Sequence, residues 1–414
     1  MKSIENRLIV RFNESRSIAG FRERNPYLEV NKLHHIEQTE EDAFAKRSLT
    51  PEEQNLLNTV VITSGDMEYL PNLYEQLSRN PAVDYVQFDQ EYELFAKIPP
   101  QKINDWWFTA INYKKDLMSY VPVNSIRVAV IDTGIDHAHI DLDPASFVNP
   151  NHRRDFTNLL WLNGVLTNPT GDAIPASQNG YSKSHGTHVA GIIAALYNKT
   201  HTVGIANMAP LMNLRAYPNA NESILSVALN YAIQKNARVI NASWGTKITP
   251  SNPQVGSALK DVIDYACSKG IVVICAAGDN KADVKDYVPA CFNNVIAVGS
   301  VDKPLQKNVF IKAETSNDGQ KVISAPGVKI ASLTAGDNNH MLVDSGTSMS
   351  AAFLSGLVAR MLDKEPNLGK PSAPGACNVA ADILRYIRTR PVQGSVGMGM
   401  IDVEATLKNL PHIP

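Results

Sequence analysis

The chain has 414 residues, room for two or three domains and a large core. It is 44% apolar and 19% charged, with a net charge of −2 and no dense block of Lys and Arg, so composition offers no argument for nucleic acid or membrane insertion. No apolar run approaches a membrane span, and the opening MKSIENRLIVRFNESRS lacks the apolar core of a secretory signal, so export by another route is expected ahead of cytoplasmic residence.

The first elements form a small unit. LIVRF, TVVIT and VDYVQF read as strands, and EYLPNLYEQLSRN reads as a helix with Leu70, Leu73, Tyr74 and Leu77 on one face. Strands plus a helix within so short a stretch predict a compact α+β domain over residues 1–95. AKIPPQK follows as a Pro-marked linker and opens a second unit, residues 96–414.

The pattern then changes. RVAVI, RVINAS, IVVICAA and NVIAVGS are short apolar runs rich in Val and Ile, with amphipathic stretches between most of them. ESILSVALNYAIQKN puts Ile224, Leu225, Ala228, Tyr231 and Ala232 on one stripe, and SALKDVIDYACSKG does so with Leu259, Val262, Ile263 and Ala266. Buried strands alternating with helices predict a doubly wound α/β domain with a mostly parallel sheet, whose chemistry sits at the carboxyl ends of the strands. Residues 143–184, rich in Pro, Asn and Gly, read as a long surface insertion or loop. The cysteines, Cys267, Cys275, Cys291 and Cys377, fit no zinc spacing; Cys275 reads as a buried thiol, and one disulfide among the four is left open.

Three stretches carry the chemistry. RVAVI ends in DTGID, which puts Asp132 at the carboxyl end of a strand; alone, such an acid reads as a turn residue or helix cap. SHGTHVAGIIAALYN places His185 at the start of a helix whose stripe is Val189, Ile192, Ile193 and Leu196; alone, it reads as a surface or capping histidine. DSGTSMSAAFLSGLVARML places Ser348 ahead of the stripe Met349, Phe353, Leu357 and Met361; alone, it reads as an ordinary Ser cap. As a set they acquire another meaning. A Ser hydroxyl is a poor nucleophile at neutral pH and needs a His base, and that base needs an acid to fix its tautomer and stabilise its cation.

From residue 96 onward the chain resembles the subtilisin-like serine proteases, on AVIDTGID, HGTHVAG and GTSMS and, further, on NASWG, ICAAGDN, ISAPGVKIASL and GMGMIDVEATL. The resemblance implies that Asp132 orients the base, His185 is the base and Ser348 the nucleophile of a serine endopeptidase acting on polypeptides. It implies that Ser243, Trp244 and Gly245 line the specificity pocket and that Ala276, Ala277 and Gly278 form a further wall. It makes residues 1–95 a propeptide, an intramolecular chaperone and inhibitor, with self-cleavage between Phe95 and Ala96. Asp279 stands where most relatives have an Asn that donates to the oxyanion, and Ala352 stands where a Pro is usual. The opposite wall of the cleft is expected to be short near residues 218–220. Asp141 and Asn198 fall on two side-chain positions of the family's calcium site, but Lys97 replaces a neutral ligand there, so no cofactor and no tightly held calcium are expected.

Three other functions compete. A metallohydrolase would use His137, His139, His185 and His188 with Asp136 and Asp141, but leaves GTSMS without a role. A transpeptidase or peptide cyclase would use the same three residues with an amine in place of water. A catalytically weak binding module would follow if Asp279 disables the oxyanion site.

Overall fold

The structure, a computed structural model, describes residues 3–13, 15–24, 29–32, 59–63, 69–90, 105–147, 149–157, 161–162, 165–166, 183–198, 200–217, 220, 222–248, 256–306, 309–371 and 377–411. The chain forms two compact units, Met1–Pro100 and Gln101–Pro414. The linker, Phe95, Ala96 and Lys97 lie outside the described residues, as do Pro218 and Asn219.

In the first unit β1 (Ser3–Phe12), β2 (Glu29–Lys32), β3 (Thr59–Thr63) and β4 (Val83–Gln90) form an antiparallel sheet in the order β2-β3-β1-β4. Two helices, α1 (Ser15–Arg24) and α2 (Tyr69–Ser78), accompany it. Leu70, Leu73 and Leu77, four or three residues apart on α2, are buried with Val10, Phe12, Phe21 and Ile62, as the periodicity requires.

The second unit is wound around one large sheet. Its main path uses β5 (Val128–Asp132), β6 (Arg153–Asp155), β7 (Leu211–Arg215), β8 (Val239–Ala242), β10 (Val272–Ala276), β12 (Val295–Gln306), β13 (Ile323–Pro326), β16 (Thr389–Arg390) and β17 (Met400–Ile401), in the order β16-β17-β13-β12-β10-β8-β5-β7-β6. Every pair on this path is parallel except β16 with β17. The expected α/β class holds. Val128, Val130, Val272 and Ile274 enter one apolar cluster, and Ala129, Ile131, Val273 and Cys275 enter the other. That alternation is why these strands read as unbroken apolar runs: both faces are covered.

Helices α4 (Glu222–Gln234) and α5 (Ser257–Ser268) bring their stripes to the second cluster. Helix α3 (His185–Ala194) and the long α6 (Thr347–Lys364) belong to the first. Two short pieces, β9 (Thr246–Lys247) and β11 (Tyr287–Val288), pair antiparallel, and β14 (Ile330–Thr334) and β15 (Asp337–Asp344) form a hairpin whose last residue lies four before Ser348. A disulfide joins Cys267 at the end of α5 to Cys377, ahead of helix α7 (Val379–Tyr386); Cys275 is a buried thiol and Cys291 a half-buried one.

One expectation is corrected. Residues 143–184 do not form a simple surface loop, because β6 lies within them as the edge strand and Phe156 beside it is fully buried. An edge strand of sequence RRD has no apolar run to announce it.

Candidate active site

The three chemical residues come from three different elements. Asp132 is the last residue of β5 and is buried, with one carboxylate oxygen accepting the Thr133 N–H at 2.7 Å. His185 opens α3, and its Nδ1 lies 2.8 and 3.0 Å from the two oxygens of Asp132. The Thr133 hydroxyl accepts the Gly186 N–H at 3.0 Å, which holds the helix start against the strand end. A carboxylate at Nδ1 favours the tautomer with its proton there, which leaves Nε2 able to accept one. Burial disfavours the imidazolium, but the charge and hydrogen bond of Asp132, with Asp344 and Asp279 adding to them, outweigh it and raise the His185 pKa.

Ser348 is the second residue of α6, where the first N–H groups have no acceptor inside the helix and the dipole favours negative charge. Among the described residues no hydrogen bond joins Ser348 to His185; the Ser348 Oγ donates to the Ser243 carbonyl at 3.2 Å. Such contacts are commonly loose before substrate arrives. Beneath Ser348, the buried Asn241 accepts the Ser355 hydroxyl at 2.9 Å and donates to the Ser243 hydroxyl at 2.8 Å, pinning β8 to α6.

Beside Ser348 opens a pocket of about 280 Å³ lined by Ser243, Trp244, Gly245, Ala276, Ala277, Gly278, Asp279, Asn280, Tyr287, Val288 and Thr347. All six residues named as pocket walls from the sequence are there. Trp244 is buried as well, its indole N–H on the Ile131 carbonyl at 3.1 Å. Tyr287 and Val288 escaped the sequence reading. They reach the pocket because β11 pairs with β9, and neither dipeptide has a length or pattern that marks a strand.

Gly278 turns the chain at the end of β10. It has φ 102°, and a Cβ there would come 2.4 Å from Asn317 Nδ2, so only Gly fits. Asn317, fully buried, organises the turn: its Oδ1 accepts the N–H groups of Asn280 and Ala282 at 3.0 and 2.9 Å, and its Nδ2 donates to the Ala277 carbonyl at 2.9 Å. The turn brings Asp279 to the start of α6, where its carboxylate accepts the Thr347 N–H at 3.1 Å and the Thr347 hydroxyl at 3.3 Å. Asp279 is exposed at the pocket mouth rather than dry. Desolvation on its protein side raises its pKa, the Thr347 hydrogen bonds oppose this, and Asp344 reinforces it.

The residues of the metal alternative do not converge on one point, although His139 Nδ1 accepts the Asp141 N–H at 3.2 Å. His188 is buried and shares its Nε2 between the carbonyls of Ile330 and Leu342, at 3.0 and 3.1 Å; burial lowers its pKa to about 4. His137 meets Arg153, Asp136 accepts from Gly336, and no group of three His, Cys, Asp or Glu suited to a metal occurs among the described residues. Asp141 is fully buried, with one carboxylate oxygen held by Asn198 Nδ2 at 2.5 Å and the other by His201 Nδ1.

A doubly wound sheet with an Asp–His pair at its carboxyl edge and a Ser at a facing helix start defines a serine hydrolase of the subtilisin type. The sequence profile of the subtilase family matches residues 124–390, and the chain belongs to that family of serine endopeptidases, which act on polypeptides. It is 34% identical to subtilisin E of Bacillus subtilis (strain 168) over 301 residues, 70% of this chain and 68% of that protein. It is 26% identical to an alkaline protease of Shouchella clausii over 366 residues, 88% of this chain and 83% of that one. Among solved structures, the epidermin leader peptide processing serine protease of Staphylococcus aureus shares the fold over 99% of both chains, with a TM-score of 0.59 and 21% identity. No described helix is long and apolar enough to cross a membrane.

Proposed function

We propose that Ser348 attacks the scissile carbonyl of a polypeptide while His185 Nε2 takes the hydroxyl proton and Asp132 holds the proton on Nδ1. His185 then returns the proton to the leaving amine, and water repeats the sequence on the acyl-enzyme to release acid and free Ser348. The observation that carries this reading is the double contact of His185 with both Asp132 oxygens beside a Ser at a helix N-terminus. Ser243, Trp244, Gly245 and Ala276 to Gly278 take the residue before the scissile bond. The apolar Val288 and the ring of Tyr287 suit that pocket to a large apolar side chain.

Asp279 serves as oxyanion donor in its neutral form, together with the Ser348 N–H. A neutral carboxylic acid donates through O–H; an ionised one repels the oxyanion. Its raised pKa supports this role, and a bound peptide removes the remaining water from its exposed side. The chain is made as a zymogen: residues 1–95 assist folding, fill the cleft, and are released by cleavage between Phe95 and Ala96.

Mass spectrometry of the purified protein beside Ser348→Ala tests nucleophile and processing together. The expected result is a mature chain starting at Ala96, and an uncut chain in the variant. A cut far from Phe95, or cleavage that persists without Ser348, refutes the processing scheme. Asn198 and His201 donate to the two Asp141 oxygens, which supports a fold that needs no calcium there.

A further inference from the structure

Asp344 is an acid near the end of the hairpin that covers α3, with no role in the scheme above. It closes β15, opposite Ile330, and its half-buried carboxylate accepts the Ser345 N–H at 2.7 Å. No ion pair to it occurs among the described residues, whereas Asp132, Asp141 and Asp155 each have one.

Its place relative to the reaction follows from the hairpin. β15 gives the Leu342 carbonyl to His188 Nε2, one turn along α3 from His185, while the Ser332 hydroxyl of β14 donates to the His188 carbonyl at 2.8 Å. The hairpin therefore packs on the helix that presents the base. The specificity pocket is built from the other elements, β8, β10 and β11, and Asp344 is absent from its lining. The acyl half of a substrate lies over that pocket. The leaving amine lies on the His185 side, because His185 hands it the proton. Asp344 thus flanks the leaving-group half.

We propose that Asp344 selects substrates with a cationic side chain, Lys or Arg, immediately after the scissile bond. The inference rests on the acyl-transfer reading above. A carboxylate with no ion pair among the described residues can take up a cation of the substrate, and its partly buried position strengthens that attraction over a fully exposed pair. The same charge is felt by His185, His188 and Asp279, each of which it helps to protonate, as a carboxylate close to all three must.

Partitioning of the acyl-enzyme between water and amine acceptors reads the leaving-group side directly. A peptide p-nitrophenyl ester acylates the mature enzyme, and argininamide and norleucinamide compete as acceptors in the wild type, Asp344→Asn and Asp344→Lys. The wild type is expected to favour argininamide about fivefold over norleucinamide. Asp344→Asn should erase this preference, and Asp344→Lys should invert it. A burst of nitrophenol reports the folded, acylating fraction of each variant. A preference unchanged in both variants overturns the proposal. Nitrophenol release no faster in the wild type than in Ser348→Ala overturns the acyl-enzyme reading itself and the proposal with it.

Discussion

Thr347 gives Asp279 two hydrogen bonds, from its N–H at 3.1 Å and its hydroxyl at 3.3 Å, and so ties the start of α6 to the acid beyond the end of β10. Its hydroxyl also accepts the Gly278 N–H at 3.1 Å. Hydrogen bonds donated to a carboxyl favour the ionised form, whereas an oxyanion donor must be neutral. The site holds two opposed demands on one group.

The pH dependence of activity follows from these demands. His185 must be neutral to act as base, and its pKa is raised, so activity increases as pH rises through that pKa. Asp279 must be protonated, so activity falls as pH rises through its own raised pKa. The raised His185 pKa moves the acid limb upward while a carboxyl sets the alkaline limb, so the active window is narrow. Asp279→Asn, which donates at every pH, should raise kcat at neutral and alkaline pH by roughly tenfold or more. Asp279→Ala should lower kcat at acidic pH. If Asp279→Ala leaves acidic kcat unchanged while Asn280→Ala abolishes it, the donor is Asn280.

Asn317 predicts a positioning effect. Asn317→Ala removes the acceptor of two N–H groups and the donor to Ala277, leaving buried backbone groups unsatisfied. Stability should fall by roughly 2–4 kcal/mol, and kcat should fall more than KM rises, because Asp279 sits inside the loosened turn. Denaturant unfolding and steady-state kinetics measure both; an unchanged kcat would remove Asn317 from the active-site support.

The cysteines give a chemical prediction. With Cys267 and Cys377 bonded, two thiols, those of Cys275 and Cys291, should titrate in the denatured, unreduced protein. A bond closing a loop of 110 residues contributes on the order of 2–4 kcal/mol, and Cys267→Ser should show a loss of that size. Four reactive thiols would contradict the pairing.

Added calcium should leave Tm unchanged, since the Asp141 oxygens are held by Asn198 and His201. Asp141→Ala should lower Tm, with or without the ion. A rise of many degrees on adding calcium, lost in Asp141→Ala, would restore the metal site.

The central strands and the helices behind them were legible because burial on two faces leaves Val and Ile runs, and burial on one leaves a stripe. The Asp132, His185 and Ser348 motifs were legible because each sits on such an element. What stayed hidden depends on side chains reaching across sequence. Asn317 is buried by 0% exposure and bonds a turn some forty residues away, yet nothing local marks it. Tyr287 enters the pocket through a two-residue pairing, and Asp344 gains meaning only from the helix its hairpin covers. His201 closes on Asp141 across a loop, a contact that nothing local in either stretch announces.

A peptidase in solution is surrounded by copies of itself, and any segment that opens for a moment becomes a meal for a neighbour. Its working lifetime is then set by the frequency of local opening followed by irreversible cutting. The loop closed by Cys267 and Cys377 contains Asp279, Asn317, Asp344 and Ser348, whereas Asp132 and His185 lie outside it. Reduction would therefore free the nucleophile-bearing half to open while leaving the acid–base half intact, and self-digestion under reducing conditions should begin within residues 268–376. In a vessel of concentrated enzyme this bond acts as a clock, and its loss should shorten shelf life well before it changes the rate of a single turnover.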